Sequence, residues 1–248
     1  MRQKTARPAR KQPSTVPPPR KLRRETRQLE DGRGGTVSAV IAYPDGFSAG
    51  RVPGVILAHG AGNDMTNPLL VAVHEGLARQ GYLSVKFNFP YTERGRRAPD
   101  PGPVLETCYR SIAAAVRTDE ALRPPQLIIG GKSLGGRIAS QLAAQGEASD
   151  GVLLLGYPLH PPGKPEKLRV EHLTRITVPM LFFAGTRDPL CTLVLLRQTL
   201  KRLVVPLTLH VIAEGDHSFV VPKRTGRTQE EVYAEMITVS SAWMREHL

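Results

Sequence analysis

The chain has 248 residues, which is enough for one large domain and does not require two. Its two cysteines, Cys108 and Cys191, fall in predicted helices without metal-ligand spacing, which argues against a disulfide framework and favours a reducing compartment. No apolar run approaches the roughly 18 residues that a membrane span needs, and the charged N-terminus lacks the apolar stretch of a signal peptide. The expected location is therefore the cytoplasm.

The net charge of +12 is concentrated at the start of the chain. Residues 1–28 hold ten Lys or Arg and one acid, so they carry +9, and they contain almost no large apolar residue. We predict a disordered, basic, proline-rich arm over residues 1–28 and a folded domain over residues 29–248. The arm is either a weak, salt-sensitive contact for nucleic acid or anionic surfaces, or a solvated extension or mis-called start. The lack of aromatic residues for base stacking favours the solvated extension.

From residue 36 onward, short β-rich runs alternate with helical patterns. The central runs are apolar throughout, as is typical of parallel strands that are covered on both faces. The pattern predicts an α/β fold with a doubly wound, mostly parallel sheet flanked by helices. Strands are predicted at Thr36–Tyr43, Gly54–Ala58, Leu83–Phe89, Gln126–Ile129, Val152–Leu155, Met180–Ala184 and Leu207–Ile212.

Several of the predicted helices have clear end signals. Asn67 can cap a helix that starts at Pro68 and closes at Gly81. The last helix begins at Thr228, where Glu231 completes a capping box. Three further helices are predicted from about Val104 to Leu122, from a glycine-rich turn to near Gly146, and from about Leu190 to Leu203.

The glycine-rich turn holds the most informative motif of the chain. Residues 131–135 read Gly-Lys-Ser-Leu-Gly and lie between a buried strand and a helix, which is the sequence form of a nucleophile elbow. The turn is too tight for side chains at its flanks, so Gly131 and Gly135 surround Ser133 at the apex. The motif predicts that Ser133 is a nucleophile.

Two further residues follow Ser133 in the order that such an enzyme requires. Asp188 comes just after a predicted strand, and His217 comes just after the next one. A serine hydroxyl needs a base within hydrogen-bond reach, and the base needs an acid that fixes its tautomer. The sequence therefore predicts a Ser133–His217–Asp188 triad. The oxyanion donors are expected to be the backbone N–H groups of Leu134 and Ala61.

Residues 129–137 resemble the elbow of the small α/β-hydrolases that include dienelactone-hydrolase-like proteins. Residues 58–62, 86–97 and 157–164 are similar to the family named for a testis-expressed protein and for a subunit of the NSL histone-acetyltransferase regulatory complex. The resemblance spans residues 36–247 and implies the α/β-hydrolase fold. Dienelactone hydrolases use cysteine at the elbow where this chain has Ser133, so their substrate is not carried over. Some members of the narrower family are complex subunits.

Each candidate also has a structural alternative. The Ser133 turn could belong to a catalytically inactive fold, and His217 could be a surface loop histidine. Asp188 precedes Pro189 and a helix, which it could simply cap. Asp216 is the rival acid, although neighbouring side chains rarely face each other. His59 is expected to be structural.

The strand that ends near residue 89 is followed by Arg94, Arg96 and Arg97. Ligands of open α/β sheets bind at this edge, and guanidinium groups suit carboxylate or phosphate. The alternative is a solvated loop tied by ion pairs to Glu93 or Asp100. The candidate substrate contacts are Asn63, Tyr91, Arg96 and Arg97.

Residues 156–179 are too few for the large lid that many lipases insert between these two strands. The pocket is therefore expected to be shallow, which suits a small or soluble acyl substrate. The sequence predicts a carboxylesterase-like serine hydrolase that cleaves an ester or similarly activated acyl bond through an acyl-enzyme, without a metal or organic cofactor. The alternative is a non-catalytic interaction module or complex subunit with the same fold.

Overall fold

A computed structural model of the chain describes residues 22–248. Within this range one sheet has eight strands in the spatial order β1-β2-β4-β3-β5-β6-β7-β8. The pairs β1/β2 and β2/β4 are antiparallel, and all the others are parallel. The strands are β1 (Arg23–Glu30), β2 (Thr36–Tyr43), β3 (Gly54–Ala58), β4 (Leu83–Phe87), β5 (Leu127–Lys132), β6 (Gly151–Leu155), β7 (Met180–Gly185) and β8 (Leu207–Ile212).

Helices cover both faces of this sheet. Successive residues of a strand point to opposite faces, so Val55 of β3 packs in one apolar cluster and Ile56 packs in the other. The Val55 cluster includes residues of α1 and α6, and the Ile56 cluster includes residues of α3, α4 and α5. The helices are α1 (Pro68–Arg79), α2 (Pro90–Glu93), α3 (Gly102–Thr118), α4 (Leu134–Ala144), α5 (Leu193–Leu200) and α6 (Gln229–His247), with 3-10 turns at Glu171–Arg175 and Lys223–Thr225.

The predicted fold class is confirmed, including the mostly parallel sheet and the lack of a large lid, since residues 156–179 hold a single 3-10 turn in this described part of the chain. The Asn67 cap and the Thr228 capping box are both present. Two helices are shorter than predicted, since α3 ends at Thr118 and α5 spans only Leu193–Leu200. The short helix α2 was not predicted.

The predicted arm boundary at residue 28 is wrong. Residues 23–28 form most of β1, which pairs along its whole length with β2, from Arg23 opposite Tyr43 to Glu30 opposite Thr36. The strand can carry charges because it lies at the edge of the sheet, and Arg24, Glu25 and Arg27 form ion pairs. Arg27 contacts Glu25 at 2.6 Å, and Glu25 accepts a 2.6 Å hydrogen bond from the Tyr43 hydroxyl. These contacts lower the pKa of Glu25 to about 2. The rest of the predicted arm, residues 1–21, lies outside the described residues.

Two truncations separate β1 from the residues before it. Removing residues 1–28 deletes most of an edge strand and exposes the backbone of β2, so the Tm should fall by several degrees. Removing residues 1–21 should change the Tm little, because that segment has almost no apolar side chain to bury. Thermal unfolding measures both, and equal Tm values for the two variants would contradict the account. Retention on heparin, which reports the predicted anionic contact, should fall in both.

β3 and β5 are neighbours in the sheet. From β3 the chain continues to β4 on one side of this pair, and from β5 it continues through β6 and β7 to β8 on the other side, so the strand order reverses between β3 and β5. Open α/β sheets bind ligands at such a switch point, outside the carboxyl ends of the strands. The residues that follow β3 and β5 are His59 and Ser133. Within residues 22–248, no helix combines the length and hydropathy needed to cross a membrane.

Candidate active site

Ser133 lies at a strained turn between β5 and α4. Its φ of 51° and ψ of −112° are unusual for a residue with a side chain, and such conformations cluster at functional sites. The turn leaves no room for a side chain at the glycines on either side of Ser133. A Cβ atom at Gly131 would lie 2.3 Å from the Ala58 carbonyl oxygen, and one at Gly135 would lie 2.2 Å from the same atom. Glycine at both positions lets α4 press against β3 while the Ser133 side chain stays half-exposed.

The structure brings Ser133, His217 and Asp188 together. His217 Nε2 lies 2.8 Å from Ser133 Oγ, and His217 Nδ1 lies 2.8 Å from Asp188 Oδ2. The Asp188 side chain is fully buried, whereas that of His217 is one-fifth exposed. Asp188 Oδ1 also accepts a hydrogen bond from the Leu190 N–H at 2.8 Å, so the carboxylate both holds the imidazole and closes the turn before α5. The predicted helix cap is wrong, because α5 begins at Leu193 with Thr192 as its N-cap, and Asp188 closes only the turn that precedes it.

The loops that carry Asp188 and His217 are tied to each other by backbone contacts. The Arg187 N–H donates to the Gly215 carbonyl at 2.9 Å, and the Glu214 N–H donates to the Thr186 hydroxyl at 2.8 Å. Gly185 allows this approach, because a Cβ atom there would lie 2.2 Å from the Gly215 carbonyl oxygen. The two loops are thus held in fixed register at the end of β7 and β8.

Asp216, the rival acid, faces its own loop. Its Oδ1 accepts hydrogen bonds from the N–H groups of Ser218 at 2.7 Å and Val220 at 3.0 Å. These bonds shape the turn that follows His217 and leave the imidazole to Asp188. The arrangement agrees with the expectation that adjacent side chains do not face each other.

The two predicted oxyanion donors lie beside Ser133. Leu134 is the first residue of α4, and Ala61 follows Gly60, where a Cβ atom would lie 3.4 Å from Ser133 Cβ. Within residues 22–248, neither the Leu134 N–H nor the Ala61 N–H donates a hydrogen bond. Two unpaired amides near one hydroxyl are suited to an oxyanion.

His59 holds the loop that carries Ala61. It is fully buried, its Nδ1 lies 2.9 Å from the Gly60 carbonyl oxygen, and its Nε2 accepts the Phe89 N–H at 3.1 Å. This pattern places the proton on Nδ1, from which it is donated to Gly60. Burial lowers the pKa of His59, which favours the neutral ring that these contacts require. The expectation of a structural histidine agrees with these contacts.

The four candidate substrate contacts have different surroundings. Asn63 is exposed and its side chain donates to the Ala61 carbonyl at 3.3 Å, so it lies on the oxyanion loop. Tyr91 is fully buried with its hydroxyl 3.5 Å from the Gly60 carbonyl, which makes it a support of that loop and contradicts a direct substrate contact. Arg96 forms an ion pair with Asp100, as the ion-pair alternative predicted. Arg97 is exposed and has no ion pair within the described residues.

Both thiols are unsuited to nucleophilic chemistry. Cys108 and Cys191 are buried, and burial raises the pKa of each to about 12. The prediction that both lie in helices is wrong for Cys191, which lies in the loop between β7 and α5. The Asp188–Leu190 turn precedes it, which delays the start of the helix to Leu193.

Lys132 is a feature of the site that the sequence analysis missed. It precedes Ser133 at the end of β5 and is 5% exposed. Burial lowers its pKa to about 8, and the nearby carboxylates of Asp188 and Asp216 oppose the shift. The only signal in the sequence was a lysine that continues an otherwise apolar strand.

Replacing this lysine should change how stability depends on pH. Between about pH 8 and the ordinary lysine value of 10.5, the folded chain has released a proton that the unfolded chain still binds. Lys132 therefore increases the free energy of unfolding of the wild type as the pH rises through this window. Lys132→Met lacks the effect, so its unfolding free energy relative to wild type should fall as the pH rises from 8 to 10. Denaturant unfolding measures this, with the exposed Lys201→Met as a control that should show no such trend.

Residues 51–245 match the family model described as an alpha/beta hydrolase domain. The chain belongs to this α/β-hydrolase family. Its fold is similar to that of dienelactone hydrolase from Anabaena variabilis, with a TM-score of 0.72 and 18% identity over 92% of this chain and 99% of that one. It is also similar to Est1E from Butyrivibrio proteoclasticus, which was solved with ferulic acid bound, with a TM-score of 0.72 and 16% identity over 89% and 98%.

A third similar structure is a serine hydrolase without a lid from Xanthomonas campestris, with a TM-score of 0.64 and 20% identity over 79% of this chain and 86% of that one. These identities establish the fold and leave the substrate open. Among curated relatives, the putative protein-lysine deacylase ABHD14B of Pongo abelii is 30% identical over 137 residues, 55% of this chain and 62% of that protein. The Rattus norvegicus protein is 30% identical over 46% and 51%. The chain thus spans less than two thirds of either relative.

Proposed function

We propose that this α/β-hydrolase is a serine hydrolase that cleaves an ester or similarly activated acyl bond through an acyl-enzyme on Ser133. The observation that carries the proposal is the continuous hydrogen-bond chain from Ser133 Oγ through His217 to Asp188, with both distances at 2.8 Å. In this mechanism His217 takes the Ser133 proton as the hydroxyl attacks the acyl carbon. His217 then gives that proton to the leaving group.

The second half of the reaction uses the same groups. Water attacks the acyl carbon as His217 takes its proton, and His217 returns that proton to Ser133 Oγ as the bond between Ser133 and the acyl group breaks and the acid leaves. The oxyanion of each tetrahedral intermediate is stabilised by the N–H groups of Leu134 and Ala61. Asp188 fixes the tautomer of His217 and stabilises the imidazolium without taking a proton.

A small acyl group is the proposed substrate. Residues 156–179 hold a single 3-10 turn and no lid domain within the described part of the chain, and Asn63 is exposed on the loop that carries Ala61. Each CH₂ group that is buried contributes about 0.8 kcal/mol to binding. A site without a deep apolar cover buries few such groups, so a long acyl chain gains little. The ratio kcat/KM for p-nitrophenyl esters should therefore be highest for acetyl to butyryl and fall for octanoyl.

Methanol partitioning tests the acyl-enzyme. If p-nitrophenyl acetate and phenyl acetate pass through one acetyl-enzyme, added methanol should divide both into methyl acetate and acetate in the same ratio. A ratio that changes with the leaving group would contradict the proposal, because it would mean that water or methanol attacks the ester directly.

Removal of an acyl group from lysine is a second candidate activity, favoured by the similarity to the putative protein-lysine deacylase ABHD14B. It would use the same acyl-enzyme with an amine as the leaving group. An acetyl-lysine peptide should then be deacetylated with the same dependence on Ser133. We also propose, from the sequence resemblance, that the chain belongs to the narrower family named for the testis-expressed protein and the NSL-complex subunit. A non-catalytic module in that family would show neither reaction.

A further inference from the structure

A second concave site lies beside α4. It is a cavity of about 360 Å³ between α4 and residues 168–175, a segment that ends with the 3-10 turn Glu171–Arg175. Three arginines line it, Arg137 from α4 and Arg169 and Arg175 from the facing segment. None of the three triad residues lines this cavity. It is therefore a separate site, and the proposed hydrolase mechanism does not use it.

None of the three arginines forms an ion pair within residues 22–248; exposed arginines such as Arg97 and Arg202 also lack one, but these three line one cavity. Arg27, Arg94, Arg110 and Arg227, for example, each form an ion pair with a carboxylate. Within residues 22–248, no carboxylate lies within 4.0 Å of Arg137, Arg169 or Arg175. This cavity therefore gathers unneutralised positive charge.

One acid lines the cavity without pairing. Glu171 is exposed and its carboxylate forms no ion pair within the described residues. The other titratable group, His172, accepts or donates one hydrogen bond through Nε2 to Ser140 Oγ at 2.8 Å. Burial and the charges of Arg137 and Arg175 lower the pKa of His172 to about 4, so it is neutral at pH 7. The positive charge of the site therefore comes from the guanidinium groups.

Two observations indicate that a ligand completes this site. Burial, and after it the positive charge of Arg137, lowers the pKa of Arg169, so the protein does not fully compensate the charge of this guanidinium group. Gln141, which also lines the cavity, has a buried side-chain oxygen with no hydrogen-bond partner within the described residues. Buried polar atoms normally have a partner, so the Gln141 side chain gains a hydrogen bond if it turns towards an O–H donor on a ligand whose negative charge neutralises the arginines.

We propose that the Arg137–Arg169–Arg175 cavity binds the phosphate group of a small molecule. A phosphate offers several acceptor oxygens to planar guanidinium donors, which bind such groups in bidentate fashion. Its charge near −2 matches three arginines opposed by one glutamate better than a single carboxylate would. A hydroxyl on the ligand, or on a singly protonated phosphate, supplies the donor that Gln141 lacks.

The site lies next to the catalytic centre along α4. Arg137 is four residues after Ser133, which is about 6 Å along the helix axis, and helical side chains lean towards the N-terminus. The Tyr157 hydroxyl donates to the Arg169 carbonyl at 2.5 Å and so fixes the facing wall just beyond β6. The cavity is thus close to the catalytic centre, although none of the triad residues lines it.

Calorimetric titration of the full chain with inorganic phosphate and with glycerol 2-phosphate, at constant ionic strength, tests the proposal. Both should bind saturably with one site. Tighter binding of the glycerol ester assigns the site to a phosphorylated molecule, and equal affinity assigns it to free phosphate. No saturable binding of either, or binding of citrate in preference to both, would overturn the proposal.

Three variants locate the binding. Arg169→Gln should weaken phosphate affinity at least tenfold, whereas Glu171→Gln should strengthen it several-fold because it removes the opposing charge. Arg202→Gln removes one charge from an exposed residue outside the cavity and should leave the affinity unchanged. Equal weakening by Arg202→Gln would show a general effect of net charge and overturn the assignment. Unfolding of free Arg169→Gln should occur at or above the wild-type Tm, because the repulsion with Arg137 is relieved, which separates lost binding from lost folding.

Discussion

Ser133→Ala should lose roughly 10⁶-fold in turnover of a small activated ester while the protein stays folded. The alanine removes the only atom that would form the acyl-enzyme and leaves the elbow glycines unchanged. Its effect on stability should be small, because alanine keeps the same strain at a φ of 51° and Ser133 is only partly buried. Steady-state hydrolysis and thermal unfolding measure the two effects.

Ser133→Gly provides a matched control. Glycine adopts the positive φ of this turn without strain, so it should raise stability by about 1 kcal/mol over Ser133→Ala while remaining inactive. A Ser133→Ala protein with near-normal turnover would mean that the elbow serine is only a turn residue.

Asp188→Asn should cost on the order of 10⁴-fold in turnover. Asparagine keeps the shape of the side chain, and its oxygen can still accept the Leu190 N–H, so the turn before α5 is retained. Its amide would, however, favour the wrong tautomer of His217, because it removes the acceptor that now lies 2.8 Å from Nδ1. The loss should therefore appear in kcat with little change in Tm.

Asp216→Asn is the control for this substitution, because it makes the same chemical change one residue before His217. Its oxygen can still accept from the N–H groups of Ser218 and Val220, so the loop keeps its shape. Turnover should change by less than about tenfold, since Asp216 does not contact the imidazole. A collapse of turnover in Asp216→Asn with near-normal Asp188→Asn would reverse the assignment of the acid.

Much of the fold was predictable because its strands are short apolar runs with sharp ends. β3 and β8 have the predicted bounds, and the Asn67 and Thr228 caps mark where two helices begin. The elbow was predictable for a different reason, since only glycine fits at residues 131 and 135 next to the Ala58 backbone. Both features depend on residues that are close together in the chain, so they can be recognised from one sequence.

The errors came from contacts between distant residues. β1 reads as a charged tail, and only its pairing with β2 and the contacts of Arg27 with Asp119 and of Glu25 with Tyr43 make it a strand. Tyr91 follows a strand at the ligand edge, but it turns inward beneath Gly60. The arginine cavity joins residues from α4 and a loop more than thirty positions later, so no window of sequence contains it. Tertiary packing decided each of these outcomes.

Labelling of the wild-type chain with a fluorophosphonate probe, followed by intact mass and peptide mapping, tests the central claim most directly. Such probes phosphonylate a serine only when a base and an oxyanion site activate it. The account predicts one adduct per chain, located on Ser133, and no adduct in Ser133→Ala. Cys108 and Cys191 should stay unmodified because burial keeps both thiols protonated. A folded wild-type protein that takes no probe, or takes it at a residue other than Ser133, would contradict the account.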